Sequence, residues 1–141
     1  MGFALLDSSV YVAVARGYSS GEEVDRLTSG LTLWLSAVVL QELYAGATGE
    51  GRRFVETLER PFLESELLLV PQLSDWITAG KLLAMVAAKY GYEIIGRNRL
   101  ANDALIAASA ARVGIKVVTA NGRDFSRLAE FCNLSWQLVS L

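Results

Sequence analysis

The 141-residue sequence predicts an α/β fold, in which helices cover both faces of a mostly parallel sheet to form a three-layer α/β/α sandwich. Short apolar runs of strand length alternate along the chain with longer segments whose apolar residues recur every three or four positions. Strands that alternate with helices usually pair in parallel, and a parallel sheet needs helices on both faces. The length fits one domain, and a hydrophobic content of 52% excludes a disordered chain. We therefore expect a single domain over residues 1–141.

Five short apolar segments are the predicted strands. Valine, isoleucine, threonine and tryptophan, which favour extended backbone, are frequent in several of them. In chain order they are FALL (3–6), LTLWLSA (31–37), ELLLVP (66–71), IKVVTA (115–120) and LSWQLVSL (134–141).

Seven segments between and around these strands are the predicted helices. The fifth is strongly amphipathic, with Ser74 as its predicted N-cap, and the sixth is rich in alanine and follows a predicted loop, GRNRL (96–100). In chain order the helices are VYVAVA (10–15), GEEVDRLTSG (21–30), AVVLQELYAGA (37–47), EGRRFVETLERPFL (50–63), SDWITAGKLLAMVAAKYG (74–91), ANDALIAASAARVG (101–114) and FSRLAEF (125–131).

Composition excludes several classes of protein and site. Cys132 is the only cysteine, so no internal disulfide forms and a cytoplasmic location is expected. The apolar runs are far shorter than the ~20 residues of a membrane span, so no membrane association is expected. The chain has no histidine, which removes histidine-activated nucleophiles and nearly all zinc hydrolase sites. Any catalysis must therefore use carboxylates, hydroxyls, amides, lysine or arginine.

Charge is unevenly distributed along the chain, although the net charge is only −2. Residues 97–127 contain six basic side chains and only two acidic ones, Asp103 and Asp124. A basic region around a few acids suits a metal site that faces an anionic substrate. The alternative is that these basic side chains simply solvate helix surfaces.

Polar residues stand where the predicted strands end. Ligands of parallel α/β sheets bind beyond the carboxyl ends of the strands, at the point where the strand order reverses. Asp7 directly follows the first strand, and Thr119 and Asn121 stand at the end of the fourth. Ser36 and Pro71 stand at the ends of the second and third strands. The first and fourth strands therefore offer the groups that could perform chemistry.

Four acidic residues are the candidates for a joint site, and each also has a simpler explanation. Asp7, Asp103 and Asp124 could each cap or stabilise the start of a helix. Glu42 lies in an otherwise uncharged run, where a buried carboxylate is costly unless paired, protonated or bound to metal; it could instead face solvent. Three of the five aspartates in the chain fall at these positions, which favours one shared explanation.

Clustered carboxylates repel one another unless a cation neutralises them. A histidine-free set of oxygen ligands favours hard ions, so Mg²⁺ or Mn²⁺ is expected. Such ions promote phosphodiester hydrolysis, and neighbouring arginines can hold the phosphate backbone. The sequence therefore predicts metal-dependent cleavage of phosphodiester bonds.

Three segments together resemble the PIN-domain family, most closely its VapC-type toxins from toxin–antitoxin pairs. They are LLDSSVYVAVARG near the start, LSAVVLQELYAGA in the middle, and NDALIAASAARVGIKVVTANGRDFSRL near the end. Each is weak alone, but their order and spacing extend the resemblance over residues 3–128. The resemblance implies a three-layer α/β/α fold and a Mg²⁺- or Mn²⁺-dependent ribonuclease that cleaves tRNA, rRNA or mRNA.

Carried over position by position, the resemblance gives a role to each candidate. Asp7, Glu42, Asp103 and Asp124 become the catalytic, metal-binding acids, with Asp124 assigned within TANGRDF because Asn121 holds the earlier position of that segment. Ser8, Thr119 and Asn121 would orient carboxylates or water. The RNA-binding candidates are Arg16, Arg97, Arg99 and Arg123.

The resemblance also implies partners. A VapB-type antitoxin is expected in a groove formed by the helical region between Gly46 and Gly96, and the apolar helices 38–47 and 76–90 suggest a homodimer. Two alternatives stay open: an RNA-processing PIN nuclease without a toxin role, and a catalytically inactive PIN-like binding or regulatory module. A haloacid-dehalogenase phosphatase is disfavoured, because it needs an aspartate where Ser9 stands.

Overall fold

The structure is a computed structural model that describes residues 2–18, 20–93 and 98–140. The strands are β1 (Phe3–Leu6), β2 (Thr32–Ser36), β3 (Leu68–Leu69), β4 (Ile115–Thr119) and β5 (Trp136–Leu138). The helices are α1 (Ser8–Ala15), α2 (Glu22–Thr28), α3 (Ala37–Ala45), α4 (Glu50–Glu64), α5 (Leu73–Tyr90), α6 (Asn98–Val113) and α7 (Gly122–Leu128). The predicted alternation of strands and helices is confirmed.

The five strands form one sheet in the order β3-β2-β1-β4-β5, and every pair is parallel. The predicted three-layer α/β/α class is confirmed, because helices flank this sheet. From β1, the chain builds the sheet through β2 to β3 on one side and through β4 to β5 on the other. The strand order therefore reverses between β1 and β4, where α/β sheets usually bind their ligands.

The core lies where the central strands meet helix α6. Leu5, Val117 and Val118 on the central strands are fully buried, as are Ile106 and Ala107 on α6. Small alanine side chains let α6 approach its neighbours closely, and burying its apolar side chains stabilises the fold by about 25 cal/mol per Å². Helices α5 and α6 are the most extensively packed pair. No helix in the described part of the chain is long and apolar enough to cross a membrane.

Several predicted helix starts are wrong. Helix α1 begins at Ser8 rather than Val10, and α7 covers Gly122–Leu128 rather than residues 125–131, because Asp7 and Asn121 occupy their N-cap positions. Helix α5 begins at Leu73, and its N-cap is Gln72 rather than Ser74, because Asp75 accepts a hydrogen bond from the Gln72 backbone N–H at 2.8 Å and completes a reciprocal capping box. Residues 98–100, predicted as part of a loop, belong to α6; residues 96 and 97 of that loop lie outside the described residues. Asp103 consequently lies in the second turn of α6, beyond any capping position.

Candidate active site

The carboxyl ends of β1 and β4 lie side by side, because Leu6 pairs with Val118 in the parallel register. The next residues along the two strands, Asp7 and Thr119, are therefore neighbours. The Asp7 backbone N–H donates to the Val118 carbonyl at 3.0 Å, which fixes the point where the chain leaves β1. The two strand ends chosen from the sequence thus meet at one edge of the sheet.

Asp7 occupies the N-cap position of α1 but makes no side-chain capping hydrogen bond. Its carboxylate instead accepts hydrogen bonds from the Thr119 hydroxyl at 2.7 Å and from the Ser9 hydroxyl at 2.5 Å. Burial raises the pKa of Asp7, while these hydroxyls, the Val10 backbone N–H and the charge of Arg99 lower it in part. Helix capping alone therefore does not explain Asp7, which is only 3% exposed.

Ser9, which the sequence did not single out, is the serine that holds Asp7. Its hydroxyl donates to Asp7 and accepts from the Ala120 backbone N–H at 3.1 Å, so it joins α1 to the segment after β4. Ser8 lies near Glu42 instead, where its hydroxyl lowers the pKa of that residue. A serine two residues after a strand-ending aspartate is the sequence signal that could have identified Ser9.

Glu42 projects from α3 toward the same region. Its Oε2 is 3.5 Å from the Asn102 side-chain nitrogen, whereas its Oε1 is buried and has no hydrogen-bond partner among the described residues. Burial raises the pKa of Glu42, and the nearby Asp7 raises it further, against the lowering effects of Asn102, Ser8 and Arg99. An unpaired buried carboxylate oxygen is costly and indicates a missing partner.

Asp103 is the acid whose pKa is affected by all three of the other acidic candidates. It is 3% exposed on α6, and burial together with the charges of Asp7, Glu42 and Asp124 raises its pKa to about 8, against a lowering effect of Arg99. Carboxylates perturb one another in this way only when they lie close together in a medium that screens them poorly. The fold therefore brings all four acidic candidates into one electrostatic cluster.

Asp124 is the third residue of α7 and is 7% exposed. Asn121 occupies the N-cap position of this helix. The simpler explanation of Asp124 as a helix cap is therefore wrong. The Arg123 guanidinium lies 3.6 Å from the Asp124 carboxylate. Asn121 contributes its backbone N–H, which donates to the Thr119 hydroxyl at 3.0 Å and supports the residue that holds Asp7.

The four arginine candidates are placed differently. Arg99 is exposed on α6, one turn before Asp103, and its charge lowers the pKa values of Asp7, Glu42 and Asp103. Arg123 pairs with Asp124, whereas Arg16 lies on a different cavity, and Arg97 lies outside the described residues. Among the described arginine candidates, Arg99 therefore interacts electrostatically with the largest number of the acids.

The cluster has the donor chemistry of a hard-cation site but is not a closed cage. Among the described residues, no three acidic or cysteine side chains already surround a point where an ion could bind. The clustered donors are oxygens, the Glu42 Oε1 lacks a hydrogen-bond partner among the described residues, and Asp7, Glu42 and Asp124 raise the pKa of Asp103. A divalent ion would relieve each of these costs once the side chains turn toward it.

A cavity of about 640 Å³ opens beside Glu42. It is formed by residues of α1, α3 and α6 together with Tyr18, which follows α1. Its lining is mixed: apolar at Val12, Ala13 and Ala45, and polar at Ser8, Ser9, Gln41, Glu42, Arg99 and Asn102.

The sequence matches the family model described as the PIN domain over residues 4–131. No curated protein matches the chain significantly. Among solved structures, VapBC-1 from nontypeable Haemophilus influenzae is similar with a TM-score of 0.68 at 24% identity, over 98% of each chain.

Two further structures are similar. VapBC2 from Rickettsia felis, bound to a promoter DNA fragment, has a TM-score of 0.71 at 22% identity, over 99% of this chain and 100% of the other. VapBC-5 from Mycobacterium tuberculosis, a member of the VapBC family of toxin–antitoxin systems, has a TM-score of 0.60 at 22% identity, over 97% and 98%. At these identities the likeness shows a shared fold.

Proposed function

This chain belongs to the PIN-domain family, and on that basis we propose that it is a ribonuclease that depends on Mg²⁺ or Mn²⁺. PIN domains are generally nucleases, which makes hydrolysis of phosphodiester bonds the first expectation. The observation that carries the proposal is Asp103: burial and three neighbouring acids raise its pKa to about 8, an arrangement that a bound cation would stabilise.

Asp7, Glu42, Asp103 and Asp124 are the residues that would hold the ion. The chemistry that a divalent ion would supply there is activation of a water molecule and stabilisation of negative charge on the leaving oxygen. The chain's own contribution is orientation: Thr119 and Ser9 fix the Asp7 carboxylate through hydrogen bonds of 2.7 and 2.5 Å. Arg99, exposed beside the acids, offers a guanidinium that can hold a phosphate.

The test is cleavage of tRNA, rRNA and mRNA fragments by the purified chain with Mg²⁺, with Mn²⁺ and with EDTA. We expect cleavage with either metal, none with EDTA, and a loss of at least 100-fold in Asp7→Asn and Asp103→Asn. Asp25→Asn is the matched control, because Asp25 is an exposed aspartate on α2. Cleavage that survives both site variants would refute the four-acid site. A folded wild type that cleaves no RNA would favour an inactive binding module.

We also propose that the chain is the toxin of a toxin–antitoxin pair, inhibited by a VapB-type antitoxin in the cytoplasm. The similar VapBC structures support this proposal. A second cavity of about 280 Å³, between α1, α3 and α4, offers an apolar surface that includes Leu43, Phe54 and Val55. It meets the first cavity at Val12 and Glu42, so a peptide lying there could present a basic side chain to the acids.

The inhibitory model is tested by measuring RNA cleavage by the isolated chain and by its purified complex with the antitoxin. We expect the complex to be inactive and cleavage to return when the antitoxin is removed. A complex that cleaves as fast as the free chain would rule out inhibition at this site. It would then favour an RNA-processing nuclease.

A further inference from the structure

The two carboxylate oxygens of Glu42 have different surroundings. Its Oε1 is buried and has no hydrogen-bond partner among the described residues, whereas its Oε2 lies 3.5 Å from the side-chain nitrogen of Asn102. The Ser8 hydroxyl also interacts with this carboxylate. Ser8 was a predicted orienting residue, but Asn102 was not among the predicted site residues. The contact between Asn102 and Glu42 therefore needs an explanation of its own.

Asn102 reaches Glu42 because helices α3 and α6 pack against each other. Asn102 directly precedes Asp103 on α6, and successive residues of an α-helix point about 100° apart. Asp103 is thereby buried in the acidic cluster, whereas Asn102 is partly buried, contacts Glu42 on α3 and lines the cavity beside it. One turn of α6 therefore supplies one acid of the cluster and a contact to a second acid.

An amide is well suited to this position, because its N–H groups donate to a carboxylate without changing the charge of the cluster. An aspartate there would add a fifth acid, and a lysine or arginine would compete with a cation for the carboxylate. The distance of 3.5 Å is longer than the usual range of about 2.7–3.2 Å for an N–H···O bond, so Glu42 is oriented but can still turn. The amide thus occupies one oxygen of Glu42 and leaves the other free.

We propose that Asn102 is a positioning residue for Glu42: its side-chain amide donates to Oε2 and so directs the unpaired Oε1 toward the divalent ion. This inference rests on the proposed metal-dependent function and adds a residue to it. Asn102 acts through Glu42 and touches neither the ion nor the RNA. Removing a group that orients a metal ligand commonly weakens metal affinity by about 10- to 100-fold.

The first test is titration of Mn²⁺ into the chain without RNA, followed by the electron paramagnetic resonance signal of the free ion. We expect Asn102→Ala to weaken Mn²⁺ binding by at least about tenfold. Asn102→Leu should weaken it equally, because leucine keeps the volume of the side chain but has no donor. Asn133→Ala is the matched control, since Asn133 is an exposed asparagine that does not line the cavity. Urea unfolding checks that each variant is folded. Wild-type Mn²⁺ affinity in Asn102→Leu would show a packing role and overturn the proposal.

The second test asks whether Asn102 acts through Glu42. In a Glu42→Ala background, the added Asn102→Ala substitution should weaken Mn²⁺ binding by no more than about twofold, because two residues that act as one unit are not additive. A full tenfold loss in that background would make Asn102 a ligand of the ion itself and overturn the positioning role.

The third test separates this role from contact with RNA. In RNA cleavage with Mn²⁺, we expect Asn102→Ala to lower kcat and to leave the KM for RNA unchanged. A raised KM with wild-type Mn²⁺ affinity would place Asn102 on the RNA and overturn the proposal. Equal Mn²⁺ affinity in Asn102→Ala and in a wild type that cleaves RNA would overturn only the role of Asn102. A wild type that neither binds Mn²⁺ nor cleaves RNA would refute the proposed ribonuclease as well.

Discussion

At the scale of single residues, Asp7 shows how the fold orients the carboxylate of an aspartate that follows a strand. Ser9 and Thr119 donate to its two oxygens, and Ser9 in turn accepts the Ala120 backbone N–H. The carboxylate is therefore fixed by groups from both central strand ends. Oriented ligands of this kind usually depend strongly on the hydrogen bonds of their neighbours.

Replacing Ser9 tests this arrangement. Ser9→Ala removes a hydrogen bond to Asp7 and leaves the Ala120 N–H unpaired, so we expect about 1 kcal/mol of lost stability and roughly a tenfold lower kcat, with little change in KM. Ser9→Thr keeps the hydroxyl and should restore kcat. The measurements are urea unfolding and RNA cleavage, with Ser65→Ala as a surface control. A Ser9→Ala enzyme with wild-type kcat would show that Asp7 needs no such support.

The clustering of the four acidic candidates was predictable from sequence, but the groups that hydrogen-bond to Asp7 were only partly so. Asp7, Glu42, Asp103 and Asp124 stand out because carboxylates are rare at strand ends and in apolar helices. Thr119 was also predicted, since it ends β4. Ser9 was missed in favour of Ser8, because the choice depends on where the Ala120 N–H lies across the sheet. This contact joins residues 111 positions apart, so the only local signal for Ser9 is its position two residues after Asp7.

At the scale of elements, helices α5 and α6 are joined by an ion pair between a buried aspartate and a partly exposed arginine. The Arg112 guanidinium donates two hydrogen bonds, of 2.8 and 2.9 Å, to the Asp75 carboxylate, which is 2% exposed. Burial raises the pKa of Asp75, but the bonds from Arg112 and from the Gln72 backbone N–H outweigh it and hold the pKa below its ordinary value. The pair links the start of α5 to the end of the helix that carries Asp103.

We expect Asp75→Asn to lower the free energy of unfolding by about 2 kcal/mol at neutral pH, because Arg112 loses its charged partner; the figure is reduced for the partial exposure of Arg112. A depressed folded pKa stabilises the protein above the unfolded pKa of about 4, and this contribution is lost as pH falls through the folded value.

The difference in the free energy of unfolding between wild type and Asp75→Asn should therefore be constant from pH 7 to 5 and shrink below pH ~4. Urea unfolding across this range measures it, with Asp25→Asn as the control. A difference that grows on acidification would contradict the assigned direction.

Element order was predictable because apolar period and length separate strands from helices, but the ends of elements were not. Ser74 and Gln72 are both able to cap α5, and Gln72 does so because Asp75 completes the capping box. The first turn of α6, Asn98 to Leu100, contains polar residues that resemble a loop in sequence. Its helical form follows from continuity with the buried, alanine-rich turns behind it.

At the scale of the whole molecule, one surface patch stands out as unusually apolar. Val70, Leu73, Trp76 and Ile77, between β3 and the second turn of α5, are all at least half exposed. Adjacent exposed apolar side chains of this size commonly mark a contact with another protein. We propose this patch as the contact surface of the homodimer expected from the sequence, because a two-fold dimer buries like surfaces against each other.

Trp76→Glu places a charge in this patch and should shift the protein from dimer to monomer, with at least a tenfold weaker self-association. Light scattering over a range of concentrations gives the mass, and Tyr92→Glu serves as the control at an exposed aromatic outside the patch. Identical masses for wild type and Trp76→Glu would exclude this surface from any homodimer.

The parallel sheet and the place where Asp7 and Thr119 meet were predictable, because alternation of strands and helices leaves few topologies. The cavity beside Glu42 was not. It is assembled from α1, Tyr18, α3 and α6, its lining residues extend along the chain from Ser8 to Asn102, and its volume depends on how three helices pack. Sequence pattern identifies which faces are apolar, but it does not give the gap left between them.

The most direct measurement of the central claim is calorimetric titration of Mn²⁺ into the wild-type chain, Asp103→Asn and Asp25→Asn. If the four acids form one divalent-ion site, the wild type and Asp25→Asn bind Mn²⁺ alike, and Asp103→Asn binds at least tenfold more weakly. Equal Mn²⁺ affinity in wild type and Asp103→Asn would contradict the site, whatever nuclease activity the chain shows.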